Sequence, residues 1–194
     1  GERPAPQPSP SFELAVTGAG SRGSLVFRED EVAFTAANPR KSRRWAYRDL
    51  KQVRIVSPRR IVFETFEDGS IWRLGADRSM TFSVTGSIDG HVVAFLLGRV
   101  RRPVMSAVLP ANTGVPIFRT EAKHTRGRTG THGALAMFPR GLAYESTETS
   151  SFFWRFADIH GLHQLSPYSL LVDVYTADDI RPFVFELKLA LTPD

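Results

Sequence analysis

The chain contains no cysteine. That excludes a disulfide framework, a thiolate metal site and a cysteine nucleophile, and it leaves the redox compartment open. Lysine is scarce as well: 21 of the 25 cationic residues are Arg and 4 are Lys. They are spread through strand-like patterns rather than gathered into a nucleic-acid tail. No apolar run reaches the roughly 18–20 residues that span a bilayer as a helix. No Ser-His-Asp or paired-carboxylate constellation stands out, so the expectation is a non-enzymatic protein. What is present is globular: 194 residues, 42% hydrophobic, with a net charge of +5. That length fits one large domain or two of about 90 residues each.

The start reads as a leader. Gly1-Glu2-Arg3 runs into Pro4, Pro6, Pro8 and Pro10, a stiff composition that cannot bury a core. Residues 1–11 are expected to be a disordered Pro-rich segment. A start without Met is consistent with removal of a signal peptide or membrane anchor. An exported, periplasmic or membrane-tethered location is therefore placed ahead of the cytoplasm.

An internal repeat organises the rest. Gly23-Ser24-Leu25 matches Gly133-Ala134-Leu135, and Val32-Ala33-Phe34 matches Leu142-Ala143-Tyr144, both at an offset of 110. The offset then becomes 109. Trp45 matches Trp154, Tyr47 matches Phe156, Asp49-Leu50 matches Asp158-Ile159, Ser57-Pro58 matches Ser166-Pro167 and Ile61-Val62 matches Leu170-Leu171. The chain has only three Trp, so two falling in register is a strong sign of duplication.

Each repeat reads as short strands. In the first, Ile61, Phe63 and Thr65 alternate with Val62, Glu64 and Phe66, and Asp68-Gly69 is a turn dipeptide ahead of a further run at 71–74. The period then changes. Ile88, Val92, Leu96 and Val100 recur every four residues, with Val93 and Leu97 beside them. This is one helical face over about 87–101, with Ser87 as a candidate cap, Asp89 near the positive end and Pro103 beyond the end. In the second repeat Phe183, Phe185, Leu187, Leu189 and Leu191 form a period-2 stripe, and no counterpart of the helix follows.

The string Gly-x-Leu, then Val-x-Phe, Trp-x-Tyr-x-Asp-Leu and Ser-Pro-x-x-Ile resembles the pleckstrin-homology superfold. It looks closest to its GRAM-like and bacterial PH-like branches. The resemblance covers about residues 12–101 and, less completely, 115–191. It implies a mainly β chain of two PH-like small barrels in tandem. Repeat 1 spans 12–101 and is capped by the helix, 102–114 is a linker, and repeat 2 spans 115–194 without an obvious capping helix. It also implies binding of a protein segment or an anionic lipid or membrane surface, generally without catalysis. A barrel lacking its helix exposes apolar side chains, which the linker, the first repeat's helix or a second copy in a homodimer would have to cover.

Arg40, Lys41, Arg43 and Arg44, with Arg48 just beyond, form the densest basic cluster, on a loop before Trp45. Arg forks bind phosphate oxygens in bidentate fashion, so these five are the candidate anion-binding residues. PH relatives with known headgroup sites usually carry their basic cluster on the first hairpin, where this chain has only Arg22. Gly18 to Gly23 matches a dinucleotide fingerprint in letters, but a strand follows it instead of a helix, and a hairpin loop is the expectation. His160 and His163 have the spacing of a metal pair, yet i and i+3 on a strand point to opposite faces. No metal and no cofactor are expected. Nucleic-acid binding through the Arg clusters at 40–48 and 119–128, and a hydrolase built on His132, His160 or His163, rank behind the binding-module reading. The charge also divides: residues 1–100 hold 15 cations against 11 anions, while 132–194 hold 4 against 8.

Overall fold

The computed structural model describes residues 11–68, 77–148 and 151–191. The Pro-rich leader (save Ser11), the run at 71–74 and the tail 192–194 lie outside them. The described chain is mainly β, with one α-helix and fifteen strands joined in a single sheet. The strands are β1 (Phe12–Gly18), β2 (Ser21–Phe27), β3 (Glu31–Ala36), β4 (Arg43–Ala46), β5 (Leu50–Ser57), β6 (Arg60–Asp68) and β7 (Asp77–Val84). Helix α1 (Gly90–Arg99) and β8 (Val104–Ser106) follow. The chain continues through β9 (Phe118–Arg126), β10 (Thr129–Phe138), β11 (Gly141–Ser146), β12 (Phe152–Arg155), β13 (Ile159–Ser166), β14 (Ser169–Tyr175) and β15 (Ile180–Leu187).

The repeat is visible in the pairing. The first half runs β4-β3-β2-β1-β7-β6-β5 and the second β12-β11-β10-β9-β15-β14-β13. Registers correspond as well. Leu25 faces Phe34 as Leu135 faces Tyr144, and Val32 faces Trp45 as Leu142 faces Trp154. Register shifts interrupt β5–β6 after Leu50 and Ile55, and β13–β14 after Ile159 and Gln164, at equivalent positions. Gly23 and Gly133 are the same device: a Cβ on either would collide with a neighbouring carbonyl, Thr35 O or Glu145 O, and with the ring of Phe34 or Tyr144. Both Trp side chains are buried, and both indole N–H groups lack an acceptor.

Two small barrels in tandem were expected, and the strands form one open sheet instead of closed barrels. The sheet is continuous and open, because β8 in the 102–114 linker bonds to both halves. It runs parallel to β5, with Val53 opposite Val104 and Ile55 opposite Ser106, and pairs with β12 through Ser106 and Phe153. A three-residue strand thus completes the edge of each half, and the ends left over are β4 and β13.

Helix α1 is shorter than the stripe suggests. Asp89, not Ser87, is its cap and accepts from the amides of His91 at 2.9 Å and Val92 at 3.1 Å. Val92, Val93, Leu96 and Val100 share one core with Tyr47, Leu50, Val53, Ile55 and Ile61. The helix has a second neighbour. Leu97 packs with Ala136, Phe138, Ala143 and Phe153, on the face of the second half turned away from that half's own core. The helix therefore lies between the two halves.

Candidate functional site

The five basic residues are placed around β4, but they do not converge. Lys41 Nζ donates to the carbonyl of Gly20 at 2.8 Å, which draws the loop onto the tip of the β1–β2 hairpin. That tip is a two-residue turn with positive φ at Ala19 (49°) and Gly20 (68°), the geometry of a tight hairpin rather than a nucleotide loop. Arg43 Nη1 donates to the carbonyls of Arg40 at 3.1 Å and Ser42 at 2.8 Å. Arg44 is bonded to Glu31, which Arg28 also holds at 2.8 Å; these two guanidinium groups keep the Glu31 carboxyl below the usual carboxylate range. Arg48 lies beyond the other end of the strand, 3.9 Å from Asp49. Four of the five thus have partners of their own. Arg43 and Arg44, the two that lie on the terminal strand β4, also discourage edge-to-edge pairing.

The opposite edge is built differently. Strand β13 reads Ile-His-Gly-Leu-His-Gln-Leu-Ser and carries no carboxylate, Lys or Arg. Among the described residues no strand pairs with its outer side. Its apolar side chains lie open. Leu162 is 41% exposed where its counterpart Val53 is 0%, and Phe156 is 40% exposed where Tyr47 is 4%. Leu165, three residues further along β13, and Tyr168, in the turn after it, are 56% exposed each. Isolated exposed apolar residues are ordinary, but a group of them marks a contact surface. Beneath them Ile159 and Leu170 pack on the second core only in part.

The second core holds one polar surprise. His124 is 5% exposed and surrounded by the rings of Tyr144, Phe152, Phe183 and Phe185, at centroid distances of 5.3–5.8 Å. Burial lowers its pKa to about 4, with Arg126 and Arg181 adding to the effect. The other histidines raised by the sequence are exposed. The His132 amide bonds Glu148 at 3.0 Å, His160 Nδ1 lies 3.0 Å from the Tyr175 hydroxyl, and His163 Nε2 lies 3.5 Å from Asp173. They do not gather into one site. Among the described residues no group of three His, Asp or Glu has the arrangement to hold a metal.

Arg155, where the repeat has Ala46, escaped the sequence reading; exposed apolar side chains in the second half were expected from its missing helix, without Leu162 being named. The signal for both was in the repeat alignment, which substitutes Arg for Ala at 155 and Gln for Ile at 164. A departure within an otherwise matched string points to a change in what covers that position.

No protein-family model matches the chain, and no curated protein matches it. Solved structures do show a likeness. The C-terminal domain of an unknown protein from Leishmania infantum superposes at 15% identity with a TM-score of 0.31, covering 38% of this chain and 72% of that one. A chain of the Spt16D Pob3N heterodimer superposes at 8% identity with a TM-score of 0.38, covering 87% of this chain and 84% of that one.

Proposed function

We propose that this chain is a non-enzymatic binding module, built as a tandem of PH-like halves, that takes a polypeptide segment on the uncovered face of its second half. The observation that carries the reading is the contrast between Leu162, 41% exposed, and Val53, 0% exposed, at matched positions of one duplicated framework. Burying a leucine of this kind stabilises by about 1.5–3 kcal/mol relative to leaving it in water. A ligand segment that covers the face gains the part of that free energy belonging to the 41% of Leu162 still exposed. The matching strand order, and the helix after seven strands in the first half, agree with the PH-like resemblance. The three exposed histidines offer no shared pocket for hydrolysis.

Selection of a random displayed-peptide library on the immobilised chain tests this reading. Peptides whose binding is lost in Leu162→Asp support it. No selected peptide, or only peptides indifferent to that change, would remove it.

One observation favours a second reading, an anionic lipid surface. The Lys41–Gly20 contact brings the basic loop onto the first hairpin, where PH relatives with headgroup sites carry their cations. Sedimentation with phosphatidylserine vesicles, compared between wild type and the combined Arg40, Lys41, Arg43, Arg44 and Arg48→Ala variant, checks it. Equal sedimentation dismisses the loop as a headgroup site.

A further inference from the structure

We infer that the junction between the two halves holds a separate binding site, for a small carboxylic acid with an aliphatic or aryl body. A cavity of about 300 Å³ opens there, between α1, the linker turn at 110–113, the turn between β10 and β11, and the end of β12. At about 30 Å³ for each water-sized group, it has room for about ten non-hydrogen atoms. Leu162 and Leu165 are not among its walls, so the site does not depend on the polypeptide-binding reading.

The body of the ligand is set by the walls. Leu97, Pro110, Phe153 and Phe156 supply apolar surface. On α1 two small residues, Ala94 and Gly98, line the cavity one turn apart. A Cβ on Gly98 would have nothing within 4 Å, so the helix side stays open. Arg155 also lines the cavity, but all five of its N–H groups are in use, on the carbonyls of Leu97, Val100 and Arg102 and on both oxygens of Asp158. It forms wall and offers a ligand no donor.

The charge of the ligand is set by Arg140. The Phe156 amide donates to its carbonyl at 3.4 Å, which holds the residue at the rim. Among the described residues its guanidinium has no hydrogen-bond or ion-pair partner, and neither do the side chains of Asn112 and Thr113, which line the same cavity. No Asp or Glu lines it. An apolar cavity with a few uncommitted polar groups is the usual form of a small-molecule site. A free guanidinium donates to a carboxylate in bidentate fashion, and apolar walls strengthen the attraction. The duplicated framework does not require this cation. The matched turn of the first half is Glu29-Asp30, where the second half has Pro139-Arg140. There the Tyr47 amide donates to Asp30 O at 3.1 Å, the Tyr47 hydroxyl donates to Arg28 O at 2.7 Å, and the ring is buried. The second half keeps the backbone bond, drops the hydroxyl, exposes the Phe156 ring and reverses the charge beside it.

The probe is octanoate, which matches the cavity in size, with octanamide as its uncharged counterpart. Each is titrated by calorimetry into the intact chain. Saturable binding of octanoate to one site per chain is expected, with octanamide about tenfold weaker, as the loss of a charged hydrogen-bond partner implies. Arg140→Gln should weaken octanoate by about the same factor and leave octanamide unchanged. Gly98→Leu places a side chain in the cavity and should abolish binding of both. The Arg140 side chain has no partner to lose and Gly98 has open space beside it, so neither variant should melt below wild type. Leu162→Asp, the change that tests the polypeptide face, should leave octanoate affinity within about twofold, which separates the two readings. Absence of saturable octanoate binding would overturn the inference. Equal affinity for the acid and the amide would remove the carboxylate from it, and binding that survives Gly98→Leu would place the acid elsewhere; either result overturns the site.

Discussion

The guanidinium of Arg155 donates to the carbonyl of Val100 at 2.6 Å, so a side chain of the second half closes the C-terminus of the first half's helix. The same group reaches Leu97 O at 2.8 Å and Arg102 O at 2.9 Å. The carbonyls of Leu97 and of the cap residue Val100 are ones a helix end leaves without intrahelical partners. Asp158 holds the guanidinium in place with two bonds, 2.7 Å to Nε and 2.9 Å to Nη2. With Lys51 bonded to Asp178 at 3.0 Å, and the amide of Ala177 to Gln52 at 3.2 Å, the two halves behave as one body.

Arg155→Met is therefore expected to cost about 3–5 kcal/mol, the range for breaking a largely buried pair. Urea denaturation of the variant checks this. Asp158 is buried, and burial raises its pKa against the lowering effect of Arg155. A carboxyl whose folded-state pKa lies above its unfolded value favours the fold when protonated, and that contribution is lost as pH rises through the folded value. Removing Arg155 raises the pKa further, so the deficit of the variant should shrink as pH falls. Adding Asp158→Asn should recover part of it at neutral pH. A pH-independent deficit would contradict this account.

His124 sets a second pH dependence. Its folded pKa of about 4 lies below the ordinary histidine value of about 6.5, so the unfolded chain takes up the proton first. Stability from this residue is full above the unfolded value and is lost as pH falls through the folded one. Between pH 7 and pH 5 the loss should be about 2 kcal/mol. His124→Phe should flatten the urea-midpoint profile across that interval. An unchanged slope would show that another group is responsible.

Gly23→Ala and Gly133→Ala should destabilise by similar amounts, about 1–3 kcal/mol, the usual range for overpacking. Each Cβ meets a backbone carbonyl and an aromatic ring that cannot both withdraw. Gly98→Ala should have the opposite sign. A Cβ there has nothing within 4 Å, and Ala is favoured over Gly inside a helix by about 0.8–1.0 kcal/mol. Thermal melts of the three variants decide between matched losses with one gain and any other pattern.

Arg44→Ala should leave the urea midpoint close to that of wild type, because exposed ion pairs contribute little to stability, although Arg44 is bonded to Glu31. The five-residue alanine variant at 40, 41, 43, 44 and 48 should bind library-selected peptides that depend on Leu162 within about twofold of wild type. Its loop lies at the β4 end of the sheet and the peptide seat at the β13 end. A larger change would mean that the basic loop takes part in the ligand face.

The sequence by itself determined the duplication, the strand-rich character and the helical stripe at 88–100. These depend on local period and on side-chain types, and both repeats carry them in the same order. Trp45 and Trp154 fall in register because each must face the same cross-strand neighbour, Val32 or Leu142. What only the tertiary structure decided is everything that depends on partners far apart in the chain. Strand β8 was hidden in a linker because three residues have no period to read, and it is held by β5 and β12 from both sides. Nothing local in the sequence marks Arg155, because its partners Leu97 and Val100 lie more than fifty residues away. Leu162 and Val53 look alike in a sequence. One is buried and the other exposed because a helix covers one seat and, among the described residues, none covers its twin.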